Sequence, residues 1–252
     1  MGVLTQENRV QKNLDTLIEE NGAMPKRLLT RFSGLTHVSV AQAIRYGREY
    51  YMLSEAFGLG AAGYIGVVAS EVRTAQGRRR SILEELLQQA TSIFADDLGL
   101  LRGAYGGGDR GLIHYRLFEQ QCRKIGLVAG STTHLPETVQ LLAVIRDPFG
   151  TMPGGISVFK VIETIAYKVV EHQVPFFLAI EDENKAKVYA LEDLSYTNIH
   201  LEIEGEHAAE SNDLVQLLLE IGVSEDVLAA TVVYLSARLG AYWNALERHV
   251  FA

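Results

Sequence analysis

Three residues in the stretch 196–207, YTNIHLEIEGEH, have the types and the spacing to bind a metal: His200, Glu204 and His207. On a helix they fall within an arc of about 60° and within two turns, so two imidazoles and a carboxylate project from one face. Such nitrogen and oxygen donors suit iron, manganese or zinc. The pair Glu204-x-x-His207 is also the acid–histidine spacing that carboxylate-bridged di-iron bundles turn into their cores. The competing reading is a solvated polar face, since Glu202, Glu206 and Glu210 lie nearby. A metal reading therefore needs partners elsewhere in the chain.

Partners exist. Glu163 stands in VFKVIETIA, residues 158–166, an otherwise largely apolar stretch. A carboxylate between Ile162 and Ile165 is seldom buried without a counter-charge or a metal. Asp97, next to Asp96, ends one expected helix, and His114 opens another. With the triplet these make three carboxylates and three histidines on four helical regions, enough for two metals with positions left for dioxygen and substrate. His37, His134, His172 and His249 lack such partners and read as surface or capping residues. Tyr167, four after Glu163, and Tyr196, four before His200, each share a face with a candidate ligand; both read more readily as core tyrosines.

The elements that must position these groups are helices. Residues 6–20 carry an apolar stripe closed by Asn21-Gly22, a helix stop. Residues 39–54 form a second helix that runs on into 56–70, a stretch without a charge. A lone membrane span needs about 20 such residues, and four glycines in this one favour a buried helix that other groups approach closely, or a pocket wall. Further helices are expected at 81–95, 114–125 and 136–145, the last with Pro136 in its first turn. Pro148, Gly150, Pro153, Gly154 and Gly155 mark the clearest break. Beyond it, helices are expected at 156–174 with Pro175 as the stop, at 196–210, at 213–221 and at 224–248, where Ser224 is a plausible cap. Residues 188–190 are the best strand candidate. The expectation is an all-α fold of about seven to nine helices in a single domain, residues 1–252, with the metal site drawn from about 90–210.

Composition narrows the function. The chain has 252 residues, 23 Lys+Arg against 31 Asp+Glu, and a net charge of −8. That balance argues against a nucleic-acid backbone as partner. One cysteine, Cys122, excludes a disulfide scaffold or a cysteine-rich metal site and reads as an inert packing thiol. The start of the chain, with Glu7, Arg9 and Lys12 ahead of any apolar run, is not a signal peptide, so a cytoplasmic location without a membrane partner is expected. The glycine-rich segment 103–111 lacks the Lys-Ser/Thr of a phosphate loop and reads as a flexible connection. No Gly-x-Ser-x-Gly elbow is present.

The order Asp-Asp-Leu-Gly, a glycine-rich segment, His114, then Glu163, then His200-x-x-x-Glu204-x-x-His207 resembles the heme-oxygenase-like di-iron oxidases and oxygenases. Members close to this pattern include the chlamydial death-domain-associating protein and its cyanobacterial relatives. The resemblance implies a heme-oxygenase-like helical bundle and a ligand set of Asp97, His114, Glu163, His200, Glu204 and His207. It implies two Fe(II), the second one labile, O2 as co-substrate, and a homodimer. The first acid is aspartate where the family usually carries glutamate, the interval to His114 is long, and the last acid is Glu204 where aspartate is frequent.

The activity so implied is O2-dependent oxidation of a small carboxylate-bearing substrate. An amino-acid-derived one is expected, cleaved at a C–C or C–N bond, with nitrile formation among the outcomes. Oxidative decarboxylation of a fatty acid and self-sacrificing p-aminobenzoate synthesis from one of the chain's own tyrosines are alternatives on the same site. A non-catalytic bundle that binds a ligand or partner is the alternative of another class. Metal-free chemistry of the thiaminase or quinone-forming kind would leave the triplet idle.

Overall fold

The computed structural model describes residues 6–97, 113–128, 130 and 133–252; the side chains of residues 6–12, 96, 97 and 204 lie outside the described set. The described residues form nine α-helices: α1 Gln6–Glu20, α2 Lys26–Ser33, α3 Val40–Thr74, α4 Gly77–Asp97, α5 His114–Cys122, α6 Pro136–Arg146, α7 Met152–Leu178, α8 Ser195–Glu220 and α9 Glu225–Phe251. Two short strands, β1 Val38–Ser39 and β2 Ile180–Glu181, pair in parallel with Val38 opposite Ile180. The glycine-rich segment 103–111 lies outside the described residues.

Helix ends follow local chemistry. Gly22 takes the left-handed conformation, φ +71°, that closes α1. Ser39 opens α3 with a reciprocal box: its hydroxyl accepts from the Gln42 amide at 3.3 Å, while the Gln42 side chain accepts from the Ser39 amide at 2.9 Å. Ser224 caps α9 through the Val227 amide, with Glu225 and Asp226 in the first turn.

Helix α7 runs through the middle of the bundle, packed against α8, α9, α2 and α3, while α3 also meets α4, α5 and α6. The buried face of α3 carries Ala56, Gly58, Ala61, Tyr64 and Val68; Leu59, Ala62, Gly63 and Gly66 face outward. By length and composition alone α3 is long and apolar enough to cross a membrane, and 39% of its most apolar window is buried in the bundle. Its glycines admit neighbours: a Cβ at Gly60 would lie 2.2 Å from the Phe149 ring, and one at Gly58 would touch Tyr115.

The structure revises four expectations. Helix α7 begins at Met152, ahead of Gly154 and Gly155. The break falls instead at the 3-10 turn Pro148–Gly150, because Thr151 caps the Gly154 amide at 3.2 Å and Pro153 suits a first turn. The same helix passes Pro175 and ends at Leu178. The lost Pro175 donor falls in the last turn, where the buried Phe176 and Phe177 offset one missing bond. Residues 196–210 and 213–221 are one helix, α8, because the polar Ser211-Asn212 step is satisfied within the bundle: Ser211 bonds the Ala208 carbonyl and Asn212 accepts from Lys160 at 2.7 Å. Residues 188–190 form no strand; Val188 donates to the Ile180 carbonyl and the next ring, Tyr189, turns inward. Helix α2 had no counterpart in the periodicity.

Packing gives two tests. A Cβ on Gly155 would lie 2.2 Å from the buried Tyr64 ring, whose hydroxyl is fixed on the Met152 carbonyl at 2.9 Å. Gly155→Ala therefore loses about 1–3 kcal/mol in urea unfolding. Gly63→Ala, which meets nothing within 4 Å on the outer face of α3, gains about 0.4–1 kcal/mol; equal effects of the two changes would contradict this packing. Cys122 is wholly buried, close to the α3 backbone at Gly47, and burial pushes its thiol well above the usual range. A thiol reagent should modify it only through unfolding, at a rate that follows denaturant; rapid labelling of the native chain would place α5 elsewhere.

Candidate metal centre

Four of the six expected ligands have described side chains, and all four are buried: His114, Glu163, His200 and His207. His114 is the first residue of α5, Glu163 lies in the middle of α7, and His200 and His207 lie two turns apart on α8. They meet as two pairs. The His114 and His200 rings cross with centroids 4.5 Å apart, and Glu163 Oε2 lies 3.7 Å from His207 Nδ1. Asp97 closes α4, which packs on α8, and Glu204 falls one turn beyond His200; both side chains lie outside the described residues. Among the described residues no group of three or more His, Cys, Asp or Glu is arranged to hold a metal ion. Each pair is short of a complete site, as the ligand set without Asp97 and Glu204 would be.

One local hydrogen bond decides what His200 can do. Its Nδ1 lies 2.8 Å from the Tyr196 carbonyl oxygen one turn earlier on α8. A carbonyl only accepts, so Nδ1 carries a proton and Nε2 is the nitrogen left to bind a metal. Outer hydrogen bonds of this kind orient metal-binding histidines and fix their tautomer. The donor chemistry fits a first-row transition metal: three buried imidazoles, one held by a backbone carbonyl, and a carboxylate buried in a mainly apolar helix.

A cavity of about 70 Å³ opens beside this cluster, with His114, Glu163 and His200 in its wall. Leu53 and Phe57 of α3, Ile162, Ile165 and Val169 of α7, and Trp243 of α9 make the rest largely apolar. Polar groups are few. Tyr50 and Tyr196 share a hydrogen bond between their hydroxyls, 3.1 Å, and the Tyr196 ring lies 4.0 Å from that of His200. Of the charge-free stretch 56–70, Phe57 and Gly58 line the cavity, together with Leu53 and Ser54 just before it.

Other expected roles change. Tyr167 is 44% exposed, because the i+4 step from Glu163 rotates it to the outer side of α7; it is neither a core residue nor a neighbour of the cluster. His134 is not a surface residue. It faces the buried Glu49 at 3.5 Å, and the same carboxylate accepts from the Leu135 amide. His37 pairs with Glu181 at 2.7 Å, and His172 bonds the Lys168 carbonyl. Tyr50 and Trp243 are cavity residues that periodicity alone reads as core. Their meeting with Tyr196 in one cavity wall depends on how α3, α8 and α9 pack, which no local spacing records.

No family model matches the chain, and no curated protein matches it. Two crystal structures of a CADD-like protein of unknown function from Nostoc punctiforme, at 2.00 Å and 1.35 Å resolution, are similar to it. The TM-scores are 0.71 and 0.68 at 15% and 14% identity, with 99% and 98% of this chain and 100% and 96% of those chains covered. At that identity the likeness establishes the fold alone, an all-helical bundle shared with the CADD-like protein, in line with the all-α expectation.

Proposed function

We propose that the chain is a non-haem di-iron oxidoreductase that uses O2 to oxidise a small carboxylate-bearing molecule held in the cavity beside His114, Glu163 and His200. The observation that carries this reading is the burial of three imidazoles and one carboxylate, with His114, His200 and Glu163 in the wall of a largely apolar cavity. His114, Glu163, His200 and His207, with Asp97 and Glu204, would hold two Fe(II). Bound iron supplies the one-electron chemistry toward dioxygen that amino-acid side chains do not. The chain's own residues do the rest. Glu163 brings a carboxylate into a buried site, the Tyr196 carbonyl keeps a His200 proton on Nδ1, and the apolar walls exclude bulk water from the substrate. The Tyr50–Tyr196 hydroxyl pair offers the substrate a hydrogen-bond donor and acceptor.

The wall chemistry favours a substrate with a hydrocarbon body. Among the described residues lining the cavity there is no lysine or arginine, and a free amino acid would bury an ammonium and a carboxylate together at high cost. An alkyl carboxylate, whose charge is confined to one end, fits better than the amino-acid-derived substrate. For self-modification Tyr196 is the residue in place, and the exposed Tyr167 is not. The setting we propose is a cytoplasmic homodimer acting without nucleic acid or membrane.

Anaerobic Fe(II) titration of the apo-protein tests the reading. Uptake close to two irons per chain is expected, followed by O2 consumption on exposure to air. Glu163→Gln and His207→Ala should each lose at least one iron, or about 10-fold or more in affinity. No stoichiometric uptake by the unaltered chain would leave a non-catalytic ligand-binding bundle as the better account.

A further inference from the structure

Helix α8 carries His200 and His207, yet its own beginning lacks a local cap. Leu194 stands at the N-cap and offers no side-chain acceptor to the first-turn amides. The acceptor comes from another helix. The Oε1 of Gln121, on α5, accepts from the Thr197 amide at 3.2 Å and lies 3.4 Å from the Thr197 hydroxyl, while its Nε2 donates to that hydroxyl at 3.1 Å. Gln121 and Thr197 are both buried, and the Gln121 carbonyl is itself held by the Tyr189 hydroxyl at 2.7 Å.

The location of this contact gives it a role. Gln121 lies two turns after His114 on the same face of α5, and Thr197 lies one turn before His200 on α8. Along the antiparallel seam between these helices, the His114 and His200 rings meet at one end at 4.5 Å. Beyond that crossing Phe118 packs on Tyr196 with centroids 5.1 Å apart, and Gln121, one turn further along α5, bonds Thr197. The aromatic contacts are only weakly directional and tolerate a slide of α5 along α8. The Gln121–Thr197 bonds do not, because a slide by one residue, about 1.5 Å along the axis, would break them.

We propose that Gln121 is a positioning residue of the metal centre: by capping α8 from α5 it fixes the register that sets His114 against His200. This rests on the metal-centre reading above. Ligand positions for a transition metal must hold within about 0.2 Å, so a lost register is felt at the metal before it is felt by the fold.

The test uses apo full-length chain and Co(II), whose visible bands report ligand number and geometry. Gln121→Met, similar in size but without the amide, should bind Co(II) ten- to a hundred-fold more weakly and with altered bands. Thr197→Val keeps the backbone donor and should show a smaller loss in the same direction; it decides the matter if Gln121→Met does not fold. Gln121→Glu, which retains the acceptor, should recover part of the affinity. Gln173→Met is the control. It removes another buried amide, bonded to the Tyr46 hydroxyl at 2.9 Å away from this seam, and should lower thermal stability while leaving Co(II) affinity and bands unchanged. Wild-type affinity and bands in both Gln121→Met and Thr197→Val would overturn the positioning role while the metal centre stands. An unaltered chain that takes up neither Co(II) nor Fe(II) would overturn the metal reading and this inference with it.

Discussion

Glu163 is the expensive residue in this molecule. A carboxylate in the middle of a 27-residue helix, flanked by Ile162 and Ile165 and almost wholly out of solvent, loses most of its hydration on folding. The bundle brings His207 to 3.7 Å from it and sets His114 and His200 in the wall of the same cavity. Each of those imidazoles is also costly to bury, so the cluster makes sense as a group and poorly as separate core residues. Buried polar clusters that reduce the stability of an empty protein are characteristic of sites kept for chemistry.

Placing Glu163 requires α7 to sit deep and in fixed register, and the start of that helix supplies both. Thr151 caps the Gly154 amide, a Cβ at Gly154 would press on the Pro148 carbonyl, and a Cβ at Gly155 would enter the Tyr64 ring. The two glycines let the 3-10 turn and α3 close onto the helix backbone. Farther along, the buried Lys160 bonds Asn212 on α8 and pairs with Asp15 on α1 at 2.6 Å. One turn of α7 thus fastens three helices directly before the turn that carries Glu163.

Features recorded in short stretches of sequence were legible. The Asn21-Gly22 stop, the Ser224 cap and the stripe that places His200 and His207 on one face need only neighbours within a turn or two. What failed depended on distant partners. Ser211-Asn212 resembles a helix end until Lys160 satisfies it, and Pro175 resembles a stop until Phe176 and Phe177 are seen buried beyond it. His134 has no visible partner until α3 delivers Glu49. At the site, His114, Glu163, His200 and His207 come together from three helices, whereas Tyr167 fails because a shared helical face is a range of directions and its edge here is solvent. Tyr50 lies 146 positions from Tyr196, and only the assembled bundle joins their hydroxyls.

The same distinction bears on how such a centre is held. A bond within one helix, such as His200 Nδ1 to the Tyr196 carbonyl, sets a tautomer and a ring orientation but cannot set the distance between helices. Apolar packing sets that distance only loosely, because its energy varies slowly with small slides. Directional bonds between helices are needed to make the spacing definite. Two of them join helices that carry candidate ligands: Gln121 to Thr197, both buried, between α5 and α8, and the buried Lys160 to Asn212 between α7 and α8. Each lies within about two turns of a candidate ligand on both helices it joins. Helix α8 is common to both bonds, so it is the element against which the donors of α5 and α7 are registered.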